Sequence, residues 1–160
     1  IMAMHTWFEC KIRYEKVMEN GMQKKVTEPY LVDALSFTEA EARIIEEMTP
    51  FISGEFTVSD IKRANYSELF PSDEESADRW FKCKLIFITL DEKSGAEKKT
   101  STQVLVQAAD LRDAVKKLDE GMKGTMADYQ IGMVSETPLM DVYPYSAEPN
   151  DKPEFDPSKA

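Results

Sequence analysis

The chain has 160 residues, a formal charge of −10, 42 % apolar and 31 % charged residues. That composition is globular. No stretch approaches the roughly 20 apolar residues of a membrane span, and no signal peptide is visible, so a cytoplasmic protein with no membrane partner is expected. The acidity counts against non-specific nucleic-acid binding, and two cysteines with one histidine exclude an ordinary zinc site.

After a short leader holding His5, residues 7–14 alternate. Phe8, Cys10, Ile12 and Tyr14 point one way; Trp7, Glu9, Lys11 and Arg13 point the other. Such period-two alternation marks a half-buried antiparallel strand. Glu19-Asn20-Gly21 supplies turn chemistry, and a second strand follows over 25–33, with Tyr30 and Val32 toward the core. Ser36-Phe37-Thr38-Glu39 is a capping box opening a helix whose apolar face is Phe37, Ala40, Ile44 and Met48. Thr49-Pro50 stops it. In the third strand Phe56 and Val58 share one phase and Ile61 takes the other, which predicts a β-bulge near Ser59-Asp60. A short strand at Leu69-Phe70 closes the unit.

The same order then recurs. Trp80-Phe81-Lys82-Cys83-Lys84-Leu85 repeats Trp7-Phe8-Glu9-Cys10-Lys11-Ile12 at a spacing of 73, and Gly95, Lys98, Lys99, Leu105, Val106 and Ala108 repeat Gly21, Lys24, Lys25, Leu31, Val32 and Ala34 at 74. The spacing returns to 73 from Phe56/Tyr129 to Pro71/Pro144. Asp110 and Asp113 take the capping positions, Leu111, Ala114, Val115, Leu118 and Met122 the apolar helix face, and a second phase shift puts a bulge near Gly132-Met133. Self-similarity of this length argues a tandem duplication. The expected fold is α+β: a ββαβ(β) unit twice, antiparallel sheet or sheets with two helices, and a pseudo-twofold. Residues 1–145 form one domain from repeats 7–71 and 80–144 and a linker 72–79, because a unit of about 65 residues buries too little surface alone. Residues 146–160 are an extended acidic, proline-containing tail.

Candidate chemistry is sparse. No glycine-rich phosphate loop, G-x-S-x-G or H-E-x-x-H is present, so no enzyme and no cofactor are expected. Cys10 and Cys83 share one repeat position and read as small buried hydrophobes; a disulfide would need the two strands adjacent. The constellation that stands out is Trp7 with Lys11 and Arg13, matched by Trp80 with Lys82 and Lys84. A tryptophan flanked by cations on an outward strand face can stack a base and hold phosphates. The same residues also suit packing against the other half or a second subunit, which is the favoured reading because a duplicated fold must bury something at its own interface.

Trp7-Phe8-Glu9-Cys10-Lys11, Val26-Thr27-Glu28-Pro29-Tyr30-Leu31-Val32-Asp33-Ala34 and Phe37-Thr38-Glu39-Ala40-Glu41-Ala42-Arg43 resemble an uncharacterised family, a domain of unknown function of gut Bacteroidetes and their phages, over about residues 7–145. The resemblance implies a phage or mobile-element setting in a bacterial host cell, and no activity or site residues. The expected function is a non-enzymatic binding protein, forming a homo-oligomer and engaging a host protein or a small phosphorylated ligand. The alternative is a single-stranded nucleic-acid binder, since four strands and a helix, read from the third strand onward, are similar in permuted order to PUR and Whirly proteins.

Overall fold

A computed structural model describes residues 6–144; the expectations for His5 and the tail 146–160 lie outside them. The elements are β1 (Thr6–Val17), β2 (Gln23–Ala34), α1 (Phe37–Met48), β3 (Phe56–Ala64), β4 (Glu68–Phe70), β5 (Arg79–Leu90), β6 (Glu97–Ala108), α2 (Leu111–Gly121), β7 (Asp128–Glu136) and β8 (Asp141–Tyr143). The fold is α+β, and the order ββαββ occurs twice. No helix among the described residues is long and apolar enough to cross a membrane.

Local sequence accounts for most of these elements. Gly21 and Gly95 end the hairpin turns at φ of 83° and 72°, a left-handed backbone that glycine adopts without steric cost. The Ser36 hydroxyl accepts from the Glu39 N–H at 3.1 Å, while the Glu39 carboxylate accepts from the Leu35 N–H at 2.6 Å. Asp110 and Asp113 reproduce the pair, with Asp110 accepting from the Asp113 N–H at 2.8 Å and Asp113 from the Ala109 N–H at 2.9 Å. These bonds satisfy amides that the first helical turn leaves open. They also hold the Asp113 carboxyl below the usual carboxylate range, the Ala109 amide first and Lys117 after it.

Both bulges fall where the phase shifts predict them. Lys11 pairs with Asp60 and Ile12 with Val58, leaving Ser59 unpaired; Lys84 pairs with Met133 and Leu85 with Ile131, leaving Gly132 unpaired.

Two compact units result, one of residues 6–64 with 141–144 and one of 65–140. The first holds a sheet of order β3-β1-β2-β8, the second a sheet of order β4-β6-β5-β7. In the first, Phe8, Cys10 and Ile12 from β1 and Val32 and Ala34 from β2 bury against Ala40, Ile44 and Met48 of α1. In the second, Phe81, Cys83 and Leu85, Val104, Val106 and Ala108, and Ala114 and Leu118 of α2 do the same. Both cysteines are free and buried.

The last strand corrects the sequence expectation twice. β4 does not close its own repeat but pairs with β6, and β8 pairs with β2; both pairings are parallel, so each sheet is mixed rather than antiparallel. The reason is connector length. β3 already runs parallel to β2, since both are antiparallel to β1. A strand placed parallel beside β2 from the end of β3 would need a crossover of a dozen or more residues. Only residues 65–67 separate β3 from β4, and three residues reach at most about 10 Å.

A helix cation ties down the chain after each exchanged strand. Arg43 of α1 donates to the Asp33 carbonyl and, at 3.0 Å, to the Pro144 carbonyl. Lys117, its counterpart on α2, donates to Ser72 Oγ at 3.0 Å and Glu74 Oε1 at 2.9 Å, and lies 3.1 Å from Asp113.

Candidate functional site

Strand pairing places each predicted strand-face residue. In the first unit Trp7 is half-buried between Asp33 and Ala64, Lys11 stands between Pro29 and Asp60, and the exposed Arg13 between Thr27 and Thr57. Lys11 therefore meets a carboxylate position across the strand. In the second unit Lys82 stands between Leu105 and Ser135 and the exposed Lys84 between Gln103 and Met133. The two tryptophans differ. Trp80 is 5 % exposed, and its carbonyl accepts from the N–H and the hydroxyl of Thr137, each at 2.9 Å. Trp80 offers no open ring face for stacking, so the doubled aromatic-cation surface is not doubled in the fold.

The helix-facing side of the first sheet carries a group that alternation alone does not reveal. Hairpin register sets Ile12 opposite Glu28 and Tyr14 opposite Val26, so Tyr14 and Tyr30 flank Glu28 from neighbouring strands. The Tyr14 hydroxyl donates to Glu28 Oε1 at 2.9 Å and the Tyr30 hydroxyl to the same oxygen at 3.3 Å. Glu28 Oε2 lies 3.4 Å from Lys16 Nζ, with side-chain exposures of 12 % for Glu28 and 46 % for Lys16. Tyr143 of β8 stacks on Tyr30, centroids 6.2 Å apart at 23°. Burial pushes the Tyr14 phenol up to about 12, helped by the Glu28 hydrogen bond and charge. Tyr143 rises to about 12 through burial, then Asp141 and Glu47, and burial followed by the Glu28 charge also raises Tyr30. All three phenols stay protonated at neutral pH, as donors.

This rim belongs to the first unit. At the corresponding register the second unit has Phe87 for Tyr14, Thr102 for Glu28, Val104 for Tyr30, Phe70 for Tyr143 and Thr89 for Lys16. Phe87 packs on Tyr129 with centroids 6.3 Å apart, and the Thr102 hydroxyl donates to Ser67 Oγ at 2.8 Å.

Clefts are formed within the units. One of about 360 Å³ is lined by Tyr14, Phe56, Arg13, Glu15, Lys25 and Glu55, and so adjoins the rim. A larger one of about 710 Å³ lies over Phe70, Ser72, Glu74, Lys117 and Glu120. There Lys117 is committed to holding the chain after β4.

Residues 6–145 match the family model described as a domain of unknown function, DUF4494. The chain belongs to that family. No curated protein matches it. The DUF4494 match spans both units and both exchanged strands, so the rim and its counterpart lie within one family domain.

The two cysteines of this DUF4494 domain are not poised as nucleophiles. Burial pushes the Cys10 thiol up to about 12, with Glu9, Asp60 and Glu41 adding to it, and the Cys83 thiol up to about 11. Neither is a thiolate at neutral pH, and the thiolate is the nucleophile. Among the described residues no group of three or more His, Cys, Asp or Glu is placed to hold a metal ion. The sequence signal for the rim was the disagreement between copies at Tyr14/Phe87 and Glu28/Thr102.

Proposed function

We propose that the chain is a non-enzymatic binding protein that engages another protein through the tyrosine–carboxylate rim of its first unit. The supporting observation is the comparison of matched positions. A group required by the ββαββ fold should recur where the fold recurs, yet Tyr14, Glu28 and Tyr30 are replaced by Phe87, Thr102 and Val104. Half-buried tyrosines present large, rigid, amphipathic contact area at low entropic cost. A protein is favoured over a phosphorylated ligand because the rim is built around a carboxylate and the chain carries a charge of −10, which repels phosphates. The residue-level resemblance supports a gut Bacteroidetes or phage setting, with a host protein met in the bacterial cytoplasm.

The test is affinity capture from a Bacteroidetes extract with the wild-type chain and the Tyr14→Phe/Glu28→Thr double variant side by side. Retention of a defined protein is expected to fall about tenfold or more in the variant, the equivalent of about 1.4 kcal/mol. Equal retention by both chains would reject the rim as the binding surface.

Single-stranded nucleic acid is the second reading, and one observation favours it: Lys82 and Lys84 face Leu105, Ser135, Gln103 and Met133, with no carboxylate across the strands. Binding of this kind would weaken steeply with salt as counterions are released, and would be lost in Lys82→Ala/Lys84→Ala while the rim variant retained it.

A further inference from the structure

The rim has the composition of a receptor for a positive charge. Glu28 Oε1 accepts two phenol O–H groups, from Tyr14 at 2.9 Å and Tyr30 at 3.3 Å. These bonds fix the carboxylate and leave Oε2 turned toward Lys16. Tyr30 and Tyr143 stack beside it. Two phenol hydroxyls and a lysine thus converge on one carboxylate, with a third ring stacked on Tyr30. Aromatic faces attract cations through the ring quadrupole, and more strongly as the cation loses water. The position is already held, loosely, by a cation of the chain itself: Lys16 Nζ stands at 3.4 Å with nearly half its side chain exposed. An exposed lysine at that distance is only weakly held, so an incoming cation can displace it. The second copy has neither the carboxylate nor the lysine, with Thr102 and Thr89 in their places. The acid and its cation are absent together, as expected of a receptor position and its internal occupant.

We propose that Glu28, Tyr14, Tyr30 and Tyr143 form a site for an organic cation, an alkylammonium or guanidinium group such as a lysine or arginine side chain of a partner protein presents, with Lys16 as the resident competitor. The proposal rests on the reading of the rim as a recognition surface and names what that surface recognises. The cleft beside Tyr14 and Phe56 gives the rest of a partner segment room to lie.

The test is a titration followed by NMR on the full chain of 18.3 kDa. The probes are N-acetyl-arginine amide, a short arginine-containing peptide and, as the uncharged control, N-acetyl-glutamine amide. Saturable shifts are expected at Tyr14, Glu28, Tyr30 and Tyr143 with the two cationic probes and not with the control. Glu28→Thr, which installs the residue of the second copy, should weaken binding about tenfold or more, the loss of a hydrogen bond to a charged group. Lys16→Thr should strengthen it several-fold by removing the competitor. Glu46→Gln, an exposed acid of α1, should leave it unchanged. Tighter binding of the peptide than of the amide would assign the cation to a polypeptide, and equal binding to a free small amine. Absence of saturable shifts, equal loss in Glu46→Gln, or no gain in Lys16→Thr would overturn the proposal. Partner capture that depends on Tyr14 and Glu28 while no cation binds would leave the recognition surface standing and reject the cation alone.

Discussion

A chain ending at Met140 is expected to lose stability in the first unit and to keep it in the second. β8 is far from residues 6–64 in sequence, yet it completes their sheet by pairing with Tyr30, Leu31 and Val32. Its removal takes away Val142, which is 7 % exposed, the stack of Tyr143 on Tyr30 and the bond from Arg43 to the Pro144 carbonyl. Burying a Val side chain is worth about 1.5–3 kcal/mol, an aromatic pair about 0.5–1.5 and a hydrogen bond from a charged group about 1.5–3. The loss is therefore about 3.5–7.5 kcal/mol, a large part of the stability of an ordinary domain. Amide hydrogen exchange reads it by segment. Protection should fall in β1, β2, α1 and β3 and persist in β5, β6, α2 and β7. Loss confined to the second group would mean that β8 closes its own repeat.

Phe8→Ala is expected to cost about 3–5 kcal/mol, the range for a buried aromatic truncated to alanine. Phe8 is 0 % exposed. Phe37 meets its ring edge-on with centroids 4.9 Å apart, and the Arg63 guanidinium stands 5.9 Å from the Phe8 ring and 5.5 Å from that of Phe37. Truncation removes the shared partner of both. In the second unit Leu111 and Glu136 occupy the places of Phe37 and Arg63, so Phe81→Ala lacks these terms and should cost about 0.5–1.5 kcal/mol less. Urea unfolding of the two variants measures both quantities. A cost below about 1 kcal/mol for Phe8→Ala would show that the cavity closes and that Phe8 is not the anchor of its core.

What could be read from sequence was whatever depends on neighbours along the chain. The phase change between Val58 and Ile61, met again between Ile131 and Val134, located both bulges because side-chain direction alternates with period two. Ser36 and Asp110 marked the helix starts because capping is a three-residue relation. Alternation also assigned Trp80 to the face away from α2, but it says nothing of what covers that face, and Trp80 is buried. The destination of β4 and β8 required adding a distance to the pattern: residues 65–67 are too few to carry the chain across its own sheet. The rim required register. Tyr14, Glu28 and Tyr30 meet only because the hairpin sets Ile12 opposite Glu28, and a one-residue slip would send them to opposite faces.

The central claim is that Tyr14 and Glu28 serve recognition and not the fold. Equilibrium urea unfolding of the Tyr14→Phe/Glu28→Thr/Tyr30→Phe triple variant against wild type tests it most directly. The first two substitutions install residues that the second unit uses at the same register. The third keeps the Tyr30 ring while taking away the hydroxyl that loss of Glu28 would otherwise leave unsatisfied, and removing all partners of a hydrogen bond together can be nearly neutral. Stabilities equal within about 1 kcal/mol, or a gain in the variant, are predicted, since residues kept for function are commonly not those that stability favours. A loss above about 2 kcal/mol, the scale of a broken buried network, would make the rim part of the structural core and contradict the account.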